Sequence, residues 1–151
     1  MRLMVLTMLL AACGPSAEQP GEVPVNDAEL SVWVEDGNYL DWASESEVHT
    51  SSGPHFGGVK VFVNDELEES LSDGGDPHPI ASAAIKELYG DGDDLLGWTV
   101  MVKVEDGSAD DSWFFWEQFE GDKLIEGVGQ SACTGCHGAG VDLILTAFPL
   151  Q

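Results

Sequence analysis

The sequence predicts a single domain of the α+β class, mostly an antiparallel β-sheet with a few short helices. Four segments are rich in valine, aromatic and other β-branched residues, which is typical of strands. They are "LSVWV" (30–34), "VKVFVN" (59–64), "GWTVMVKV" (97–104) and "SWFFWEQF" (112–119). Clusters of Gly, Asp and Pro lie between them and indicate turns. Because such short connections join antiparallel neighbours, we expect the strands to form one antiparallel sheet.

Helices are predicted in two places. The segment "DELEESL" (65–71) is a short helix candidate, and "GQSACTGCH" (129–137) is a candidate helical turn near the C-terminus. A third segment, "IASAAIKELY" (80–89), has alanines that suit a helix, but it also fits one strand of a hairpin with 97–104. The pattern alone leaves both possibilities open.

The first residues predict export and lipid attachment. An apolar run from Leu3 to Ala12 is too short to span a bilayer, and it follows a single Arg, as in a signal peptide. Leu10 to Cys13 resembles the bacterial lipobox, in which the cysteine is acylated. We therefore expect a signal peptide over 1–12, a lipidated flexible tether over 13–29 rich in Pro and Gly, and a folded domain over 30–151.

The expected location is the periplasmic side of a bacterial membrane, held there by the lipid alone. Because Gly14, and not Asp, follows the acylated cysteine, the outer membrane is favoured over the inner one. The formal net charge is −23, which repels phosphate groups. Nucleic acid and anionic lipid headgroups are therefore excluded as partners, and the acidity is typical of a solvated surface.

Cys133, Cys136 and His137 form the pattern C-x-x-C-H, the attachment signature of c-type haem. Each thiol can form a thioether with one vinyl group, and the adjacent histidine then lies on the iron. A structural zinc site would need a second ligand pair. A thioredoxin-like pair would stand earlier, after a strand, and a simple disulfide would give the histidine no role. The sequence therefore predicts one covalent haem c.

The other face of the iron lacks an obvious ligand. After the predicted signal peptide the only methionine is Met101, which stands in a predicted strand and is expected to fill the core. His49, His55 and His78 are candidate sixth ligands, all in turn-like segments. We expect a five-coordinate iron with an open site, which suits small-ligand chemistry. The four-helix cytochromes c′ are excluded because their long amphipathic helices are missing.

Several segments together resemble the cytochrome P-four-sixty family and its relative cytochrome c′-beta. In chain order they are "VKVFVNDE", "AAIKELYGDG", "GWTVMVKVEDG", "SWFFWEQF" and "SACTGCHGAGVDLILTAFPL". The similarity covers roughly Val59 to Leu150. It implies a mostly antiparallel β fold with one c-type haem, commonly assembled as a homodimer. It also implies that Ala83 to Tyr89 is a strand.

The resemblance implies one of two activities. In the enzymatic branch a strand lysine, which falls on Lys86 here, is bonded to the haem, and the protein oxidises hydroxylamine. In the cytochrome c′-beta branch there is no such bond, and an apolar pocket capped by phenylalanine binds nitric oxide. The hydroxylamine oxidisers carry a distal carboxylate where this chain has Thr99. Phe56 and Phe62 are candidates for an apolar distal pocket, although a position in the core is favoured for each of them.

The sequence thus predicts an exported, lipid-anchored monohaem cytochrome that binds or transforms a small nitrogen ligand. Nitric oxide binding is favoured because Thr99 cannot act as a general base near neutral pH. Two alternatives stay open: a hydroxylamine or nitric oxide oxidoreductase with a Lys86 cross-link, and a tethered electron-transfer cytochrome. The sequence does not identify the redox partner protein.

Overall fold

The structure is a computed structural model that describes residues 23–51, 53–55, 57–90 and 93–151. These residues form one seven-stranded sheet and three short α-helices, which confirms the predicted α+β class. The helices are α1 (Asp27–Glu35), α2 (Asp65–Asp73) and α3 (Ser131–His137). The strands are β1 (Ala43–Ser44), β2 (His49–Thr50), β3 (Gly58–Val63), β4 (Ala83–Tyr89), β5 (Leu95–Lys103), β6 (Trp113–Phe119) and β7 (Asp122–Val128).

Every strand pairing in the described sheet is antiparallel. The order is β1-β3-β4-β5-β6-β7, and β2 also pairs with β3. From β3 to β7, strands that follow one another in the chain are therefore neighbours, and α2 lies in the connection between β3 and β4. The segment 80–89, which the pattern left ambiguous, contains β4, so the strand implied by the family resemblance is confirmed.

The two faces of the sheet carry separate clusters of buried side chains, because successive residues of a strand point to opposite faces. On what we call the site face, Val61, Met101 and Phe115 pack with Leu67 of α2 and with the segment after α3. On what we call the α1 face, the buried residues pack against α1. They include Phe62, Ile85, Val100, Trp116, Leu30 and Val34.

The prediction of a strand at 30–34 is wrong, because these residues lie in α1. The Asn26 side chain accepts a hydrogen bond from the backbone N–H of Glu29 and so caps the helix. Leu30 and Val34, four residues apart, are fully buried, whereas Val32 is 55% exposed. The β-branched and aromatic residues of "LSVWV" favoured a strand, although the four-residue spacing of Leu30 and Val34 also fits a helix. The folded part also begins before the predicted boundary at Leu30, since Val23 is already buried.

The other predicted elements are confirmed with small shifts at their ends. Strands β3, β5 and β6 and helices α2 and α3 all fall on the predicted segments. Strand β7 was missed because its sequence, "DKLIEGV", mixes three charged residues and a glycine with its three apolar residues. The strand is mostly exposed, as suits an edge strand. No helix among the described residues is both long and apolar enough to cross a bilayer.

Candidate functional site

A cavity of about 770 Å³ opens on the site face, between the sheet, α3 and the C-terminal segment. Cys133, Cys136 and His137 line it together with Lys86 and Glu117. A smaller recess of about 30 Å³ adjoins the cavity and shares Lys86 and His137 with it. Cavities of roughly 300–1,000 Å³ are typical of cofactor and ligand sites. Four of the residues predicted from the sequence therefore lie around one space large enough for a cofactor.

Helix α3 presents the motif to this cavity. Residues three and four positions apart lie on one side of a helix, so Cys133, Cys136 and His137 project together. Cys133 is half-buried and Cys136 is exposed, and neither is in a disulfide. Burial raises the pKa of the Cys133 thiol to about 11, so that thiol is protonated at neutral pH. Among the described residues, no three His, Cys, Asp or Glu side chains converge as a zinc site would require.

His137 is held in one orientation by a backbone carbonyl. Its Nδ1–H donates a hydrogen bond of 2.8 Å to the carbonyl oxygen of Leu143. Since a carbonyl only accepts, the proton lies on Nδ1 and Nε2 keeps its lone pair. Burial lowers the pKa of His137, which favours the neutral ring. Histidines that bind metals usually make such a bond through the second nitrogen.

The carbonyl that holds His137 belongs to a strained turn. Asp142 and Leu143 have φ angles of 43° and 67°, which are unusual for residues other than glycine. The chain folds closely back on itself at this turn: a Cβ atom at Gly140 would collide with the Ile144 carbonyl. Such backbone conformations cost about 1–3 kcal/mol each and persist only where surrounding contacts impose them.

Those contacts converge on Asp142, which is buried. Lys103 Nζ lies 2.7 and 2.9 Å from its two carboxylate oxygens, and both side chains are fully buried. Trp113 Nε1 donates to the same carboxylate at 3.2 Å, and the His78 backbone N–H donates at 2.9 Å. The ion pair thereby fixes the residue next to Leu143. Asp142 lies in the last segment that resembles the family, and its pairing with Lys103 was not predicted.

Three residues form a row across the sheet on the site face. The register pairs Lys86 of β4 with Thr99 of β5, and Thr99 with Glu117 of β6. Burial lowers the pKa of Lys86, which favours a neutral and nucleophilic amine, while Glu45 and Glu117 oppose this effect. Burial raises the pKa of Glu117, and the nearby Lys86 opposes that shift. The carboxylate missing at Thr99 is therefore present on the neighbouring strand.

The candidate sixth ligands lie in different places. His78 is buried in the core, with Nδ1 at 2.8 Å from Ser70 Oγ. His49 is exposed at the rim and contacts Glu45. His55 lines the cavity, and its ring centroid is 6.5 Å from that of His137. Burial lowers the pKa of His55 to about 4, so its ring is neutral at pH 7. Met101 is buried in the site-face cluster, as expected for a core residue.

Phe62, a candidate for the distal pocket, is not among the residues that line the cavity. Phe62 is buried on the α1 face, where its ring packs edge-on against Tyr39 at 5.0 Å. Its neighbour Val61 faces the cavity instead, because side chains alternate along β3. Phe56 and Cys13 lie outside the described residues. An aromatic residue that was not predicted, Phe115, stands beside His137 with ring centroids 6.1 Å apart.

These residues fit a c-type haem. The cavity has a suitable volume, both thiols are available on one helical turn, and His137 has a fixed ring with a free Nε2. The haem would be held by thioethers at Cys133 and Cys136 and by His137 on the iron. Its iron would supply the binding position for a small ligand and the redox chemistry.

Comparisons with known proteins add no assignment. No protein-family profile matches the chain, and a search of curated proteins finds no significant relative.

Proposed function

We propose that the protein is an exported, lipid-anchored monohaem c-type cytochrome that binds a small nitrogen ligand, with nitric oxide as the favoured ligand. The observation that carries this proposal is that Cys133, Cys136 and His137 line one cavity together with Lys86, the residue at the family's lysine position. Two anchoring thiols, an oriented imidazole and a volume of about 770 Å³ are what a covalent haem requires.

The walls of the cavity support binding of a small, weakly polar ligand. Val61, Ile125 and Leu145 supply apolar surface to its lining. The hydrogen bond from His137 to Leu143 keeps the ligating nitrogen directed away from the backbone. A neutral diatomic molecule needs only access to the iron and an apolar surround, and no group that moves protons.

Removing the attachment points tests the haem assignment. We expect Cys133→Ala combined with Cys136→Ala, matured with a cytochrome c assembly system, to give a chain without covalent haem. The wild type and a Thr134→Ala control in the same helix should carry one haem, measured by intact mass after denaturation. Covalent haem on the double variant would contradict the proposal. Ferrous wild-type protein should then bind nitric oxide, measured by its optical spectrum.

A specific observation favours a second candidate, a hydroxylamine or nitric oxide oxidoreductase. Lys86 lies in the cavity with a pKa lowered by burial, as a lysine that forms a covalent bond would require. Glu117 supplies a carboxylate beside Thr99, and burial raises its pKa. A positioned carboxylate can serve as a general base. We rank this candidate second because the carboxylate does not occupy the position the family resemblance implies.

A further inference from the structure

His55 stands across the cavity from α3, in the connection between β2 and β3. Its side chain is only 17% exposed, and it lines the same cavity as His137. The two imidazole rings have centroids 6.5 Å apart, and their planes differ by 69°. The position is tied to the sheet by Gly57, which has a φ of 74° and sits so close to the Tyr89 carbonyl that a Cβ would collide with it.

This separation matches two imidazoles on one metal ion. Metal–nitrogen bonds of about 2.0–2.1 Å from opposite sides place the two ring centres about 6 Å apart. A gap of 6.5 Å also leaves room for one flat macrocycle when both rings stand edge-on to it. A distal histidine that only hydrogen-bonds a bound ligand would need a wider gap, because the ligand itself must fit beneath it.

The contacts of Nδ1 indicate which nitrogen each ring has available for a metal. Nδ1 of His137 is bonded to the Leu143 carbonyl. On His55, Nδ1 faces a Glu117 carboxylate oxygen at 3.6 Å, slightly beyond hydrogen-bond distance. Nε2 is therefore the nitrogen left for a metal on each ring, and each has an acceptor near its other nitrogen. A carboxylate behind a ligating histidine is a common arrangement that orients the ring and raises its basicity.

We propose that His55 is the second axial ligand of the haem in the resting protein, with Glu117 positioning its ring. The inference deepens the proposed function, and it depends on that function because it needs a haem on His137. It replaces the open five-coordinate iron that the sequence predicted. Nitric oxide would then bind by displacing His55. The observed affinity for nitric oxide is therefore the intrinsic affinity multiplied by the fraction of protein in which the position is free.

Spectroscopy of the holoprotein tests the ligation directly. We expect wild-type protein to be low-spin by optical and electron paramagnetic resonance spectra, and His55→Ala to be high-spin and to return to low-spin on adding imidazole. His49→Ala is the matched control, since His49 lines the same cavity but bonds Glu45 at the rim, and it should stay low-spin. His55→Met should remain folded and six-coordinate with a higher reduction potential.

Ligand kinetics complete the test. If the position is free in about 1–10% of molecules, nitric oxide should associate about 10- to 100-fold faster with His55→Ala than with wild type. High-spin wild type, or low-spin iron that persists in His55→Ala, would overturn the ligation. Wild type without covalent haem would overturn the proposed function as well. Low-spin iron that nitric oxide cannot displace would support the ligation and overturn ligand binding in favour of a tethered electron carrier.

Discussion

Asp142 determines the position of His137 without touching it. The carboxylate is neutralised by Lys103, and the next residue, Leu143, accepts the hydrogen bond from the His137 ring. Two left-handed backbone conformations in succession are stable here because the buried ion pair and the Trp113 N–H hold the turn. The orientation of the predicted proximal ligand thus depends on a charge pair formed with β5, far along the chain from α3.

Asp142→Asn should destabilise the fold, because the Lys103 ammonium would remain buried without its partner. Losing one member of a buried pair typically costs about 3–5 kcal/mol. Denaturant unfolding of the apoprotein measures this loss, and Asp122→Asn on exposed β7 is the matched control, expected within about 0.5 kcal/mol of wild type.

A double variant separates the charge effect from the positioning effect. Replacing both partners, with Lys103→Met and Asp142→Leu, should recover much of the lost free energy of unfolding, since apolar residues can replace a buried pair at little cost. The holoprotein of the double variant should nevertheless have an altered reduction potential, because Leu143 is no longer fixed beneath His137. An unchanged potential would show that Asp142 has a structural role only.

At the scale of the elements, antiparallel pairing brings together side chains that are distant in sequence. Lys86, Thr99 and Glu117 come from three consecutive strands and form one row because each lies at the same register position on the site face. Neighbouring residues on one face of adjacent strands lie about 4.5–5.5 Å apart. The row therefore places an amine and a carboxylate at the cavity, and the Thr99 hydroxyl between them lies at the adjoining recess.

This row decides between ligand binding and turnover. We expect the wild type to show little hydroxylamine-dependent reduction of an artificial electron acceptor, and a spectrum without the red shift that a lysine bond to the macrocycle would cause. Peptides around Lys86 and Cys133 should separate after digestion. Thr99→Glu should gain activity, since it places a base where the family resemblance implies one.

The opposite result would identify an enzyme. Brisk wild-type turnover that Lys86→Ala abolishes would contradict our ranking and establish the cross-linked oxidoreductase. In that case Glu117→Gln should lower the rate by about 10²- to 10⁴-fold if Glu117 is the general base. Lys60→Ala is a suitable control, because Lys60 lies on the α1 side of β3 over the Phe62 ring.

At the scale of the whole molecule, one face of the sheet carries most of the apolar core and the other face carries the candidate site. The α1 face is closed by α1 and packed with large side chains, including the fully buried Trp116. The site face keeps its core at one end, around Trp113 and Leu67, and leaves the cavity at the other. The apolar packing on the α1 face can therefore stabilise a sheet whose other face holds the cavity as well as a smaller core.

The N-terminal cysteine, which lies outside the described residues, should set the location of the whole molecule. Cys13→Ser should move the protein from the membrane fraction to the soluble periplasmic fraction, because acylation supplies the membrane affinity. Fractionation followed by immunodetection measures this, with Ser16→Ala as the control in the same tether. A Cys13→Ser protein that still sediments with membranes would contradict the lipobox prediction.

The sequence by itself determined the local structure of individual segments. The spacing of Cys133, Cys136 and His137 fixes their shared side on one helical turn whatever the rest of the chain does. Runs such as 59–64 and 112–119 form strands because their β-branched and aromatic residues suit a half-buried pleated surface. Segments whose residue pattern fits both a helix and a strand could not be assigned from the sequence alone. Thus 30–34 became a helix because Leu30 and Val34, one turn apart, both reach the core.

What only the tertiary structure decided is which side chains meet. The face of Phe62 depends on the register of β3 against β4, because a shift of one residue would exchange the two faces. Glu117 comes beside Thr99 only through the register of β6 against β5. His55 comes within 6.5 Å of His137, measured between ring centroids, only after α3 and the connection between β2 and β3 have packed around one cavity. These contacts arise from the pairing of distant segments, which no local pattern of residues specifies.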